Sequence, residues 1–248
     1  MELPQRNYVA ISDHALQQTV GWIAFAMPVF VRLVAFLHDG IWTTNSISAY
    51  YYTSLRDVFV GSLVAGGIVL AFFPSRNVHD RWLARIAGLA AVGIGLFPMP
   101  IRAGVIDWVK ADTEQKRQAF VAALEHGPHG PLGYHYYFVV VFFVTAFVLV
   151  TFRFKANTPV QPTARKCRRN RVYTVCGCLM GAAFLWMAGI WFAGHNDENK
   201  MASIFYPETL AVMAFAAAWL VKGQLVLKDR PAGQAAPRAV AVVPVSAS

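Results

Sequence analysis

Six polar side chains recur at one depth of an otherwise apolar sequence: Arg32, Tyr51, Arg56, Asp57, His135 and Glu208. Two guanidiniums, two carboxylates, an imidazole and a phenol make a set that can hold a charged small molecule or a lipid headgroup. In that arrangement Arg32 and Arg56 counter Asp57 and Glu208. Four different apolar runs supply all but Tyr51, which just precedes the second, and each lies near the same end of its run. Arg32 lies five residues inside its run, about 7 Å deep by helix rise. An arginine within a span ordinarily faces the bundle and finds a partner there.

The runs that must position these groups lie near 18–37, 55–74, 83–101, 134–152, 172–194 and 204–222. The 248-residue chain is 56% hydrophobic and only 14% charged, where a soluble domain carries about a quarter charged residues. Twenty residues of helix cover about 30 Å, the thickness of a bilayer's hydrocarbon. The fourth run, "FVVVFFVTAFVLVTF", has strand-forming residues, but an open sheet in lipid leaves backbone groups unpaired, so helices are expected throughout. The expected fold is all-α: a polytopic bundle of six transmembrane helices spanning 18–222. Residues 1–17 form a cytoplasmic N-terminal segment. Residues 223–248, rich in Ala, Pro, Gly and Val, form a cytoplasmic tail expected to be disordered. Polar residues fill the start and no small-residue cleavage site follows the first run, so that run is expected to remain as a helix.

Orientation follows from Lys and Arg. "RFKANTPVQPTARKCRRNR" holds seven basic residues and no acid. Placing it in the cytoplasm puts both termini there too. The inner segments then carry a net +11 and the outer ones −2, against +9 for the chain. The basic excess is thus topology signal and attraction to anionic lipid. No nucleic-acid partner is expected, because no aromatic interleaving or binding motif accompanies the basic loop. Cys167, Cys176 and Cys178 fall on the reducing side, where disulfides are not expected.

Bland roles compete for the same residues. Tyr50, Tyr51 and Tyr52 suit an interfacial aromatic belt. Ser54 with Asp57 three residues on resembles a capping box. Glu208 beside Pro207 suits a helix's first turn. Ala87, Ala91 and Gly95, and Gly177-x-x-x-Gly181, are rows along which helices approach closely. "ADTEQKRQAFVAALEHG" reads as a surface helix with one apolar edge.

Histidine supports a second chemistry. His38, His126, His129, His135 and His195 all fall on the outer side. His135 and His195, with Asp57 or Glu208, could complete a three-ligand zinc site whose bound water cleaves lipid amides or esters. No H-E-x-x-H accompanies them. No resident cofactor is expected otherwise. A redox or quinone-binding role has only the interface aromatics and histidines behind it.

"SISAYYYTSLRDVFVG", "AGLAAVGIGLFP", "YHYYFVVVFFVTAF", "RRNRVYTVCG" and "PETLAVMAFAAAWLVKG" together resemble a group of small bacterial multi-pass membrane proteins of unknown function. The likeness runs from about residue 20 to 223. It implies six helices in a bacterial cytoplasmic membrane and brings no substrate. A looser similarity to transmembrane zinc hydrolases of the ceramidase kind rests on the outer histidines; the paired His-x-x-x-His of those enzymes is missing here. The expected function is binding or moving a small or lipid ligand at an outer-leaflet polar pocket. Membrane lipids are the expected partners, and a metal-dependent lipid hydrolase is the alternative.

Overall fold

The computed structural model describes residues 13–39, 44, 46–75, 77–99, 133–156, 158, 162–194 and 204–228. Six long helices account for most of them. Helix α1 (Asp13–Val34) begins five residues before its apolar run, with Asp13 in the first turn facing the positive end of the dipole. It passes through Pro28 and continues as a π-helical turn, Ala35–Asp39. Ser46 then caps a 3-10 turn, Ile47–Tyr52, by accepting the Ser48 N–H at 3.1 Å. Helix α2 is Arg56–Ala71 and α3 is Val78–Leu96. Asn77 starts α3 early, its side chain accepting the His79 N–H at 3.0 Å. Helix α4 (Gly133–Val148) runs on through a π-helical turn, Leu149–Arg153, and a final turn, Phe154–Ala156. Helix α5 is Ala164–Gly194, and α6 is Phe205–Lys222, ending at Gly223.

Besides the early starts of α1 and α3, the starts of α5 and α2 differ from the sequence reading. Helix α5 is 31 residues long because Arg165, Lys166, Arg168, Arg169 and Arg171 are helical rather than loop. Lys and Arg are good helix formers, and charge does not stop a helix that leaves the apolar zone. At α2 the cap position falls on Leu55, not Ser54, and has no side-chain cap bond. Thr53 does part of that work, accepting the Leu55 N–H at 3.2 Å and donating to the Tyr50 carbonyl at 2.8 Å.

Packing follows chain order. Each helix lies against its sequence neighbours, and α6 closes the ring against α1. Small residues set the closest approach. Gly67 and Gly88 face each other across α2 and α3, where a Cβ on either would strike backbone of the other helix. Ala87, Ala91 and Gly95 are buried on that side. Gly177 meets Thr151 of the α4 extension, where a Cβ would lie 2.5 Å from the hydroxyl. The buried core has two parts. One, around Met27, Val31, Tyr50, Phe59 and Phe205, sits at the tyrosine end. The other, at the basic end, centres on Trp219, ringed by Phe73, Phe154 and Phe215 at centroid distances of 5.2, 5.2 and 5.9 Å.

Much of the exterior is apolar too. Trp22, Phe30 and Leu33 on α1, Val140 and Val144 on α4, and Leu185 and Phe192 on α5 all point outward. Among the described residues three helices are long and apolar enough to cross a membrane: Asp13–His38, Tyr134–Ala156 and Ala164–Ala193. Helix α2, at 16 residues, covers about 24 Å. No strand occurs among the described residues.

Candidate polar site at the tyrosine end

The Ile47–Tyr52 turn is the hub of a buried polar network. Glu208 reaches it from the first turn of α6. Its carboxylate accepts the Ser46 hydroxyl at 2.7 and 3.0 Å and the Ile47 N–H at 2.7 Å. Ser46 in turn accepts the Ser48 N–H, and Thr44 donates to the Ser46 carbonyl at 2.6 Å. From the other side His135, in the first turn of α4, places Nε2 3.0 Å from Ser48 Oγ. Its Nδ1 lies 2.7 Å from the Phe97 carbonyl. Thr44, Ser46, Ser48, His135 and Glu208 are all buried. A carboxylate withdrawn from water is tolerated when hydrogen bonds satisfy its lone pairs, and Glu208 has two donors, the Ser46 hydroxyl and the Ile47 N–H.

The chain leaving α3 is held twice. His135 takes the Phe97 carbonyl, and Tyr52 donates to the Met99 carbonyl at 2.5 Å. Burial pushes the Tyr52 phenol well above its ordinary pKa. Tyr51 and Tyr136 add to that, and Arg56 opposes it. Tyr50 is fully buried, edge-on to Phe205 at 6.3 Å. Burial raises its pKa as well, against smaller opposing effects from Thr44 and Arg32. Its hydroxyl makes no hydrogen bond of good geometry.

The six residues singled out in the sequence therefore divide. His135 and Glu208 are brought together through the Ser46–Ser48 turn. Arg56 lies outside it and binds Tyr51, donating from Nη2 to the phenol at 2.6 Å and stacking 4.5 Å from the ring centroid. Asp57 is exposed in the first turn of α2. Arg32 faces a crevice of about 330 Å³ between α1 and α6, lined by Val29, Leu33, Phe36, Phe205 and Met213 among others. Its guanidinium sits 5.5 Å from the Phe205 ring centroid. The expected single pocket is thus a buried network, an Arg-Tyr pair at the surface and an open apolar crevice.

Ser46, Ser48 and Thr44 were not singled out from the sequence. The signal was the S-x-S spacing just before the tyrosines, since a buried serine pair ahead of a turn is a natural cap. Of the metal candidates, His195 lies outside the described residues, as do His126, His129 and the 111–127 surface helix. Among the described residues no group of three His, Cys, Asp or Glu could hold an ion, and both ring nitrogens of His135 are occupied by Phe97 and Ser48.

The opposite end is built differently. Arg153, on the π-helical turn, meets Asp80 of α3 with Nε 2.5 Å from Oδ1. Lys222 sits 5.0 Å from the Phe154 ring centroid, within electrostatic reach of Lys166, Arg169 and Asp80. Arg169 is itself buried.

No family model, curated protein or solved structure matches this chain.

Proposed function

We propose that this is a six-helix protein of a bacterial cytoplasmic membrane, both termini inside, that binds an anionic phospholipid on its outer half. The observation that carries the reading is Arg32, set in an apolar crevice of about 330 Å³ between α1 and α6. That volume is at the lower end for ligand sites, about 300–1,000 Å³. Val29, Leu33 and Phe36 are themselves exposed, which suits an acyl chain lying along the crevice. The guanidinium, over the face of Phe205, brings a positive charge that suits a phosphodiester. Tyr50 stands behind the same Phe205 ring, with a spare donor. Six crossings and the inside basic segment come from the apolar runs and the Lys and Arg distribution.

Native mass spectrometry from mixed phosphatidylglycerol and phosphatidylethanolamine tests the binding. One phosphatidylglycerol per chain should be retained, and Arg32→Gln should lose it while still folding. Equal retention in the variant would overturn the assignment of Arg32. The metal-dependent hydrolase gains no specific observation, since His135 is engaged elsewhere.

A further inference from the structure

We propose that Ser48 is a nucleophile activated by His135, giving the tyrosine end an acyl-transfer site for apolar esters. The inference does not depend on the Arg32 crevice, which lies on other helices and supplies none of the reacting groups.

The proton positions follow from chemistry. The Phe97 carbonyl can only accept, so the His135 nitrogen 2.7 Å from it, Nδ1, carries the hydrogen. In the neutral ring Nε2 then holds the lone pair. Ser48 Oγ lies 3.0 Å from that nitrogen, so the hydroxyl donates to it. This is the tautomer and contact a general base needs to take a proton from a serine. In a Ser-His-Asp triad the carboxylate fixes that tautomer. Here a backbone carbonyl does.

Both partners are held by other contacts. Phe97 ends α3 with its N–H on the Gly93 carbonyl at 2.9 Å, and its ring stacks on Phe138 of α4 at 5.2 Å. Phe138 is three residues from His135, so the carbonyl and the imidazole it orients share one packed unit. Ser48 rides on a turn whose N–H groups are fixed by Glu208 and Ser46. Ser48 keeps 7% of its surface exposed and His135 3%. A dry site of this kind favours an uncharged substrate and slows bulk water.

In the first half-reaction Ser48 Oγ attacks the ester carbonyl carbon while its proton passes to His135 Nε2. The carbonyl carbon–alkoxy oxygen bond then breaks, and the alcohol leaves with that proton. The acyl group stays on Ser48. Water, or a second alcohol, reverses the steps and releases the acid or a new ester.

Ser46 is the built-in control: also buried, at 2% exposed against 7% for Ser48, and two residues away, it is bonded to a carboxylate rather than an imidazole. The test is an alkyl fluorophosphonate probe on the full chain in lipid nanodiscs, with the modified peptide read by mass spectrometry. An adduct on Ser48 and none on Ser46 is expected. It should be absent in Ser48→Ala and about 100-fold slower in His135→Gln. No adduct on the wild-type protein, or equal labelling of both serines, would overturn the proposal whether or not the histidine variant folds. Undiminished labelling in a folded His135→Gln protein would remove the histidine's role and sink it as well.

Discussion

The two ends of the bundle solve the same problem, buried polarity, in opposite ways. At the tyrosine end one carboxylate, Glu208, is satisfied by neutral donors from a turn, and the His135 imidazole completes the network. At the basic end one carboxylate, Asp80, sits among cations: Arg153 in contact, with Lys222 close enough to feel it. The first arrangement depends on direction, because each donor must point at an oxygen. The second depends on charge, because Asp80 lowers the repulsion among its neighbours wherever they point. Directional networks fix a geometry, which is what a reacting or recognising site requires. Charge clusters tolerate motion and answer to salt.

The largest break in that comparison is Glu208→Ala. It strands the Ser46 hydroxyl and the Ile47 N–H inside the bundle. We expect a loss of about 4 kcal/mol, counting roughly 2 kcal/mol for each buried group left unpaired, read as unfolding in detergent. Glu208→Gln keeps an acceptor and should lose less than half of that. The same melts at 50 and 500 mM salt should leave the Glu208 deficit unchanged.

Asp80→Asn comes next, with an expected loss of about 2 kcal/mol: removing one partner strands the other, but both side chains are partly exposed. High salt should shrink this deficit, because it screens the remaining cations. A salt-independent loss would mean that the Asp80–Arg153 hydrogen bond, and not the charge, does the work.

Tyr52→Phe sharpens the contrast through pH. The folded phenol's pKa is raised above the ordinary 10.0, chiefly by burial. Its contribution is therefore complete below about pH 10 and is lost as pH rises toward the folded value. The variant should cost about 1 kcal/mol at pH 7 and lose stability less steeply than wild type above pH 10. Parallel alkaline curves would remove Tyr52 as the titrating group.

The smallest effect belongs to Asp57→Asn. The side chain is exposed in the first turn of α2, and the change should cost about 0.5 kcal/mol through the helix dipole. A loss as large as that of Asp80→Asn would show that Asp57 carries a structural role that its exposure conceals.

Much of the fold was legible in the residues. The apolar runs carry all six long helices, and Ala87, Ala91 and Gly95 are buried, Gly95 against Leu63 and Val60 of α2. The helix ends were less legible. The α5 start lies in a basic stretch that hydropathy reads as loop, and Asn77 rather than apolarity sets the start of α3. The site was half legible. His135 and Glu208 were visible as rare polar residues at run ends, but Ser46 and Ser48 look like ordinary loop serines until the fold buries them.

Composition and spacing alone determined that this chain is helical and apolar outside, because those properties follow from local period and from side-chain solvation. They also marked a common depth for the polar groups, since helix rise converts sequence position into distance. Which of those groups meet was decided only by the tertiary structure. Rotation about each helix axis puts Glu208 on the Ser46 turn, leaves Asp57 in the open and turns Arg32 toward the crevice. That rotation is set by packing across the ring, where Gly67 meets Gly88 and Tyr50 meets Phe205. No single helix carries that information.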